Sequence, residues 1–216
     1  MDQEREKQLA ADAAAARVED GMRVGLGTGS TVTHLLAALA RRARDAVYVA
    51  SSPRTEHEAR GLGLAVEPFD QLAHLDLAID GADQVAPDGW LIKGGGGAHT
   101  REKVVIAAAE AFIVIVDSTK LVASLAAPVP LELLAFGLRA TLSHLNGATL
   151  RDAPPTPDGG VLADWRGSFD DPRELATYLS WVPGVVGHGL VAPEAVTTVL
   201  IGRGDSTTSM TPGGAP

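Results

Sequence analysis

One stretch of this 216-residue chain brings a cation, a row of backbone donors and a carboxylate together: Lys93-Gly94-Gly95-Gly96-Gly97-Ala98-His99-Thr100-Arg101-Glu102-Lys103. Glycine backbone approaches a ligand closely and turns without steric penalty, so its N–H groups can face an anionic or hydroxyl-rich small molecule. A run of glycines is equally compatible with a flexible connection. Glu102 falls in the first turn of a helix expected from a Thr100 cap to about Glu110, on one face with Val105, Ile106 and Ala109. A carboxyl held against apolar surface has a raised pKa, which suits a general base. The plainer reading is an acidic residue complementing a helix N-terminus.

Three further clusters share this chemistry. Gly25-Leu26-Gly27-Thr28-Gly29-Ser30-Thr31 lies between a strand at 22–26 and an apolar-faced helix at 32–42. Such a turn aims backbone N–H groups and the positive end of a helix at a bound anion, with Thr28, Ser30 and Thr31 adding hydroxyls; phosphate is the natural occupant. A tight turn with Ser and Thr acting as caps is the structural alternative. Asp80-Gly81-Ala82-Asp83 ends a buried strand at 75–79, where open parallel sheets bind ligands. A solvated Asx-type turn would give the same pattern. Lys120, in Asp117-Ser118-Thr119-Lys120, follows another apolar strand at 112–116.

The elements that carry these clusters alternate strand and helix. Asp2 caps a helix reaching about Glu19 with Leu9, Ala13 and Ala16 on one face, and Lys7 reads as solvated. A strand at 46–50, a helix at 55–62 and a short strand at 64–66 come between the first two clusters. From Pro128 onward the pattern changes to strands at 129–134, around Thr149, at 161–164 and 185–190, with helices at 137–145 and 172–181, a small α+β arrangement. A strand at 196–201 returns to the first sheet. The stretch 203–216, rich in Gly, Ser, Thr and Pro, is expected to be disordered, and its Arg203-Gly204-Asp205 is read as a chance adhesion-like tripeptide.

Composition narrows the chemistry. With 45% hydrophobic and 21% charged residues the chain reads as a soluble globular protein, and its N-terminus lacks the apolar core of a signal peptide, so a cytoplasmic location is expected with no membrane partner. No cysteine is present, which removes thiolate nucleophiles and cysteine metal sites. The six histidines show no ligand spacing, so no metal is expected. A net charge of -9 without a visible basic patch argues against nucleic acid. The first glycine turn has Ser30 where a dinucleotide fingerprint needs its third glycine, and Ser51-Ser52 where an acidic residue is needed. It also lacks the Gly-Lys pair of a nucleotide P-loop, so no cofactor is expected.

Taken together and in this order, the clusters resemble those of ribose-5-phosphate isomerase type A, with Pro128-Val129-Pro130-Leu131-Glu132 and Pro183-Gly184-Val185-Val186 adding to the likeness up to about Gly202. The resemblance implies an α/β protein: a Rossmann-like open sheet with helices on both faces (1–126 with 195–202), plus a smaller α+β, ferredoxin-like domain (127–194). It implies a cofactor-free aldose–ketose isomerase of the pentose phosphate pathway, interconverting D-ribose 5-phosphate and D-ribulose 5-phosphate through an enediolate, and a homodimer or tetramer. Glu102 would be the base, with Asp80, Asp83 and Lys93 also catalytic. Thr28, Gly29, Ser30, Thr31, Asp80, Gly81, Ala82, Asp83, Lys93, Gly94, Gly95, Gly96, Lys120 and Lys7 would contact the sugar phosphate. Two departures stand out: Gln84 replaces the glutamate that usually follows the second aspartate, and Asp158-Gly159-Gly160 replaces a turn richer in asparagine. Two rivals share the fold, a non-enzymatic sugar-phosphate sensor and a CoA transferase. The sensor needs a DNA-binding segment that does not fit ahead of Gly25, and the transferase needs room for a nucleotide.

Overall fold

A computed structural model describes residues 2–42 and 45–212. In chain order the elements are α1 (Gln3–Ala15), β1 (Arg23–Leu26), α2 (Ser30–Arg42), β2 (Val47–Ala50), α3 (Pro53–Gly61), β3 (Leu75–Asp80), β4 (Gln84–Val85), β5 (Leu91–Ile92), α4 (His99–Ala107) and β6 (Ala109–Asp117). They continue with β7 (Val129–Leu133), α5 (Leu138–His144), β8 (Ala148–Leu150), β9 (Val161–Trp165), α6 (Pro172–Trp181), β10 (Val185–His188), β11 (Leu190–Val191), β12 (Thr198–Arg203) and β13 (Ser206–Met210).

The main sheet runs β13-β12-β6-β3-β1-β2, parallel except for β13 at its edge. Side chains alternate across a strand, and β6 shows what that alternation builds. Ile113 and Ile115 enter a core with α1 and α2, whereas Phe112, Val114 and Val116 enter a second core with Val105 and Ile106 of α4. Continuous apolar sequence is therefore what a strand covered on both faces requires, and the fold is α/β. Leu35, Leu36 and Leu39 of α2, spaced to fall on one side, are fully buried, each worth about 2 kcal/mol of transfer free energy.

A second, antiparallel sheet, β10-β7-β9-β8, carries α5 and α6 and has its own core around Leu131, Leu133, Leu179 and Trp165. Asp171 caps α6 through the N–H groups of Arg173 and Glu174, with Pro172 opening the helix. A third sheet, β11-β5-β4, is antiparallel and was not legible as strands; each of its members spans only two residues.

Several expectations need correction. The 203–216 stretch is not uniformly disordered: β13 pairs with β12 from Val199↔Met210 to Arg203↔Ser206, and Gly204 turns the hairpin with φ +58°. Composition misled here, because Thr and Ser are polar yet tolerate an edge strand well, with the β-branched Thr favouring it; residues 213–216 lie outside the described residues. The first helix stops at Ala15, and its buried face is Glu6, Lys7, Ala10, Ala11, Ala14 and Ala15, while Ala16 is exposed. Lys7 is thus buried, not solvated. The shift brings in Glu6, a carboxylate that a hydrophobic periodicity cannot count. It accepts from the N–H and hydroxyl of Ser118 and the N–H of Gly204, which hold its pKa below the ordinary value. The stretch at 64–66 makes only a single bridge, Tyr48↔Val66. Thr100 does not cap α4, which opens at Ala98 without a side-chain cap, and the helix ends before Glu110.

Candidate active site

Two strand registers assemble the centre. Leu26 of β1 stands beside Ile79 of β3, which sets Gly27 beside Asp80. A Cβ on Gly27 would lie 1.8 Å from the Asp80 carboxyl, so glycine there admits that side chain. In the third sheet Gln84 stands opposite Ile92, which sets Asp83, at the entry to β4, beside Lys93, at the exit of β5. Asp83 N donates to Ile92 O (2.8 Å), and Lys93 N donates to Gly189 O (2.8 Å), locking the lysine backbone on both sides.

The side chains of Asp80, Lys93 and Glu102 are at most 4% exposed and converge. Lys93 Nζ donates to Asp80 Oδ2 at 2.6 Å and stands 3.3 Å from Glu102 Oε2, an ion-pair distance that does not satisfy hydrogen-bond geometry. Asp80 Oδ1 accepts from the N–H groups of Thr28 (3.1 Å) and Gly81 (2.7 Å). Burial pushes the Asp80 carboxyl up, and the Lys93 ammonium with these two donors pulls it back. Burial opposes charge on Lys93 as well, but Asp80 and Glu102 outweigh it and hold the ammonium above its ordinary range. Glu102 is pushed up to about 8, first by burial and then by Asp80, with Lys93 countering. The centre thus holds a fixed cation beside a carboxyl that gains and loses its proton near neutrality.

A pocket opens over this centre. Its walls are Thr28, Gly29, Ser30, Thr31 and Val32 at the start of α2, Gly81, Ala82 and Asp83 after β3, and Lys93, Gly94, Gly95 and Gly96, with Glu102 and Lys120. The structure therefore brings together the sequence-read residues with two exceptions. Asp80 sits behind Lys93, outside the lining. Lys7 is also outside it, its ammonium 2.7 Å from Glu4. Gly94 and Gly97 take φ of +96° and +79°, conformations that fix the glycine loop. Gly95 N donates to Asp83 Oδ2 at 2.7 Å.

Four features escaped sequence reasoning. Ser51, Ser52 and Thr55 gather at the Thr28 hydroxyl within 3.2 Å; Ser51-Ser52 had served only to exclude a dinucleotide. Asp158 binds Arg101 of α4 in a two-bond fork at 2.6 and 2.7 Å, so the departure at 158–160 touches the helix that carries Glu102. Gln84 exchanges both amide bonds with the Ala126 main chain, donating to its carbonyl and accepting from its N–H, which a glutamate could not do in full. Arg151 reaches the glycine loop from the second sheet. These pairings are long-range, and no local spacing announces them.

Among the described residues one trio of possible metal ligands lies close together, His74, Asp76 and Glu110. It begins at the amino end of β3, away from the pocket, and its groups are engaged: Asp76 accepts from Arg23 N at 2.6 Å and His74 pairs with Glu110. No described helix is long and apolar enough to cross a membrane.

A family model described as ribose 5-phosphate isomerase A (phosphoriboisomerase A) matches residues 47–206. The chain belongs to the ribose 5-phosphate isomerase A family. It is 42% identical over 216 residues to the ribose-5-phosphate isomerase A of Nitrobacter hamburgensis, covering 91% of this chain and 93% of that protein. Its identity to the ribose-5-phosphate isomerase A of Levilactobacillus brevis is 40%, covering 95% and 96%. Among solved structures, the ribose 5-phosphate isomerase A of Neisseria gonorrhoeae superposes with a TM-score of 0.92 at 28% identity, covering 97% of each chain. A D-ribose-5-phosphate isomerase solved in complex with phospho-erythronic acid gives 0.92 at 32% identity, covering 98% of this chain and 100% of that one. The ribose 5-phosphate isomerase A fold thus extends over nearly the whole chain.

Proposed function

We propose that this member of the ribose 5-phosphate isomerase A family interconverts D-ribose 5-phosphate and D-ribulose 5-phosphate, with Glu102 as the base that moves a proton between C2 and C1. The observation that carries this reading is the buried Glu102 carboxyl beside the Lys93 ammonium. Ionised Glu102 takes the proton from C2 of the open-chain aldose, the C–H electrons form the C1–C2 double bond, and negative charge collects on O1. In this reading the Lys93 ammonium stabilises that oxyanion, and the Gly96 N–H adds a donor. Glu102 then returns the proton to C1 while the O2 proton is lost and O1 gains one, leaving a ketone at C2.

The other residues divide by position. Asp80 holds the Lys93 ammonium in place, and Asp83 handles hydroxyl protons during ring opening. The hydroxyls of Thr28, Ser30 and Thr31, the N-terminus of α2 and Lys120 suit the phosphate. A relative solved with phospho-erythronic acid, a phosphorylated sugar acid, supports a sugar phosphate as the occupant. The match over nearly the full chain favours the isomerase over a sensor or a CoA transferase.

The test is ketose formation from ribose 5-phosphate by wild type and Glu102→Gln. The variant keeps the shape of the side chain and loses its basicity, so kcat is expected to fall by about a hundredfold to ten-thousandfold with the circular dichroism spectrum retained. Wild-type turnover by Glu102→Gln would remove Glu102 from the mechanism.

A further inference from the structure

The second sheet grips the glycine loop through one side chain. Arg151 follows β8, its main chain held by the bond from its N–H to Leu162 O. Its Nε and Nη2 donate to Asp164 Oδ1 at 3.1 and 2.6 Å, which fixes the plane of the guanidinium. Its Nη1 donates to two successive carbonyls, Gly94 O and Gly95 O, both at 3.1 Å. The ion pair is largely sheltered, the two side chains being 18% and 14% exposed.

Those two carbonyls matter because of the donors they share peptides with. In a trans peptide the C=O and N–H point in opposite directions, so a carbonyl turned toward Arg151 turns its partner N–H away from it. The peptide of Gly94 O carries Gly95 N, which donates to Asp83 Oδ2. The peptide of Gly95 O carries Gly96 N, and Gly96 lines the pocket. A cation on the carbonyl oxygen also polarises the peptide and strengthens its N–H as a donor. Leu162, from the same sheet, also packs against the loop, its Cδ1 2.6 Å from where a Cβ on Gly97 would stand.

We propose that Arg151 is a positioning residue for the isomerisation, holding the Gly94–Gly95 peptide with its N–H on Asp83 and the Gly95–Gly96 peptide so that the Gly96 N–H faces the oxyanion formed in the pocket. This rests on the isomerase reading above. It assigns the second sheet a part in catalysis that none of its residues has by touching substrate. The Asp164–Arg151 pair is the arm, and the glycine loop is what it holds.

The experiment compares kcat and KM for ribose 5-phosphate in wild type, Arg151→Met, Arg151→Lys, Arg151→Met/Asp164→Asn and Glu102→Gln, with thermal unfolding of each. Arg151→Met is expected to lower kcat about tenfold to a hundredfold with KM within about twofold, because a misaimed donor costs most in the transition state. Arg151→Lys keeps the charge but not the planar fork and should recover part of the loss. Among the described residues, Arg151→Met leaves Asp164 with Arg166, 3.6 Å away, as its remaining ion-pair partner, so the double variant removes the poorly paired carboxylate and should regain thermal stability while kcat stays low. A double variant that regains both stability and wild-type kcat, or an Arg151→Met enzyme with wild-type kcat, overturns the proposal while an inactive Glu102→Gln leaves the isomerase reading standing. Absence of turnover by wild type would instead defeat the isomerase reading, and this proposal with it.

Discussion

The protonation of Glu102 pulls in two directions: the proposed base must be ionised, whereas burial stabilises its protonated form in the fold. Its pKa rises from an ordinary 4.5 to about 8 in the folded chain, so between those values the native state binds more protons than the unfolded one. Stability from this residue is full below about pH 4.5 and is lost as pH rises through 8. His99 and His188 act in the other direction: burial holds them down to about 4 and about 3, so their contribution is present above the ordinary 6.5 and is lost as pH falls through the folded values. Lys103, lowered by burial to about 8, begins to titrate only at the upper edge of the range. From pH 6.5 to 8, then, Glu102 lowers stability while the two histidines and Lys103 raise it, so the Glu102 part is read as a difference between wild type and Glu102→Gln. Measured by urea unfolding, the stability of wild type relative to Glu102→Gln is expected to fall by about 1 to 2 kcal/mol across that interval, the histidines and Lys103 contributing alike to both; parallel profiles would place the titrating group elsewhere. The same carboxyl was legible in the sequence because its helical neighbours Val105 and Ile106 are apolar. Its closeness to Asp80 and Lys93 was not, since that depends on strand register.

At the scale of elements, the site depends on two close approaches between strands. Gly27 at the end of β1 is the clearer, because a Cβ there overlaps the Asp80 carboxyl and the neighbouring Asp80–Lys93 bond has no slack. Gly27→Ala is expected to lower stability by about 1 to 3 kcal/mol, the usual cost of overpacking, and to reduce activity by displacing Lys93. Thermal unfolding and ketose formation measure the two; an unchanged melting temperature with wild-type kcat would mean that Asp80 moves aside freely. What the sequence made legible at this scale was the long apolar strands and the capped helices, such as α6 behind Asp171 and Pro172. The two-residue strands β4, β5 and β11 were too short to carry a period, yet their register sets Asp83 against Lys93. The Thr- and Ser-rich β13 was missed for the opposite reason: its composition suits solvent, and only the neighbouring β12 makes it a strand.

At the scale of the whole molecule, the main sheet supplies Asp80, the small third sheet sets Lys93 and α4 carries Glu102, while from the second unit Arg151 holds the glycine loop and Asp158 pairs with Arg101 of α4. Large apolar side chains remain at the surface of the second unit, Phe136 at 86% and Trp181 at 81% exposure. Exposed apolar area of this kind favours association, in line with the expected homodimer or tetramer. Sedimentation velocity should give at least twice the monomer mass, and a monomer across the micromolar range would contradict it. In the proposed reading these parts serve one proton transfer, and that transfer can be followed by isotope exchange. Ribose 5-phosphate is incubated in D2O with wild type and with Glu102→Gln, and deuterium at C2 of the recovered aldose is read by proton NMR. Wild type is expected to exchange the C2 proton with solvent and Glu102→Gln to leave it in place; exchange by the variant at the wild-type rate would contradict the assignment of Glu102 as the base.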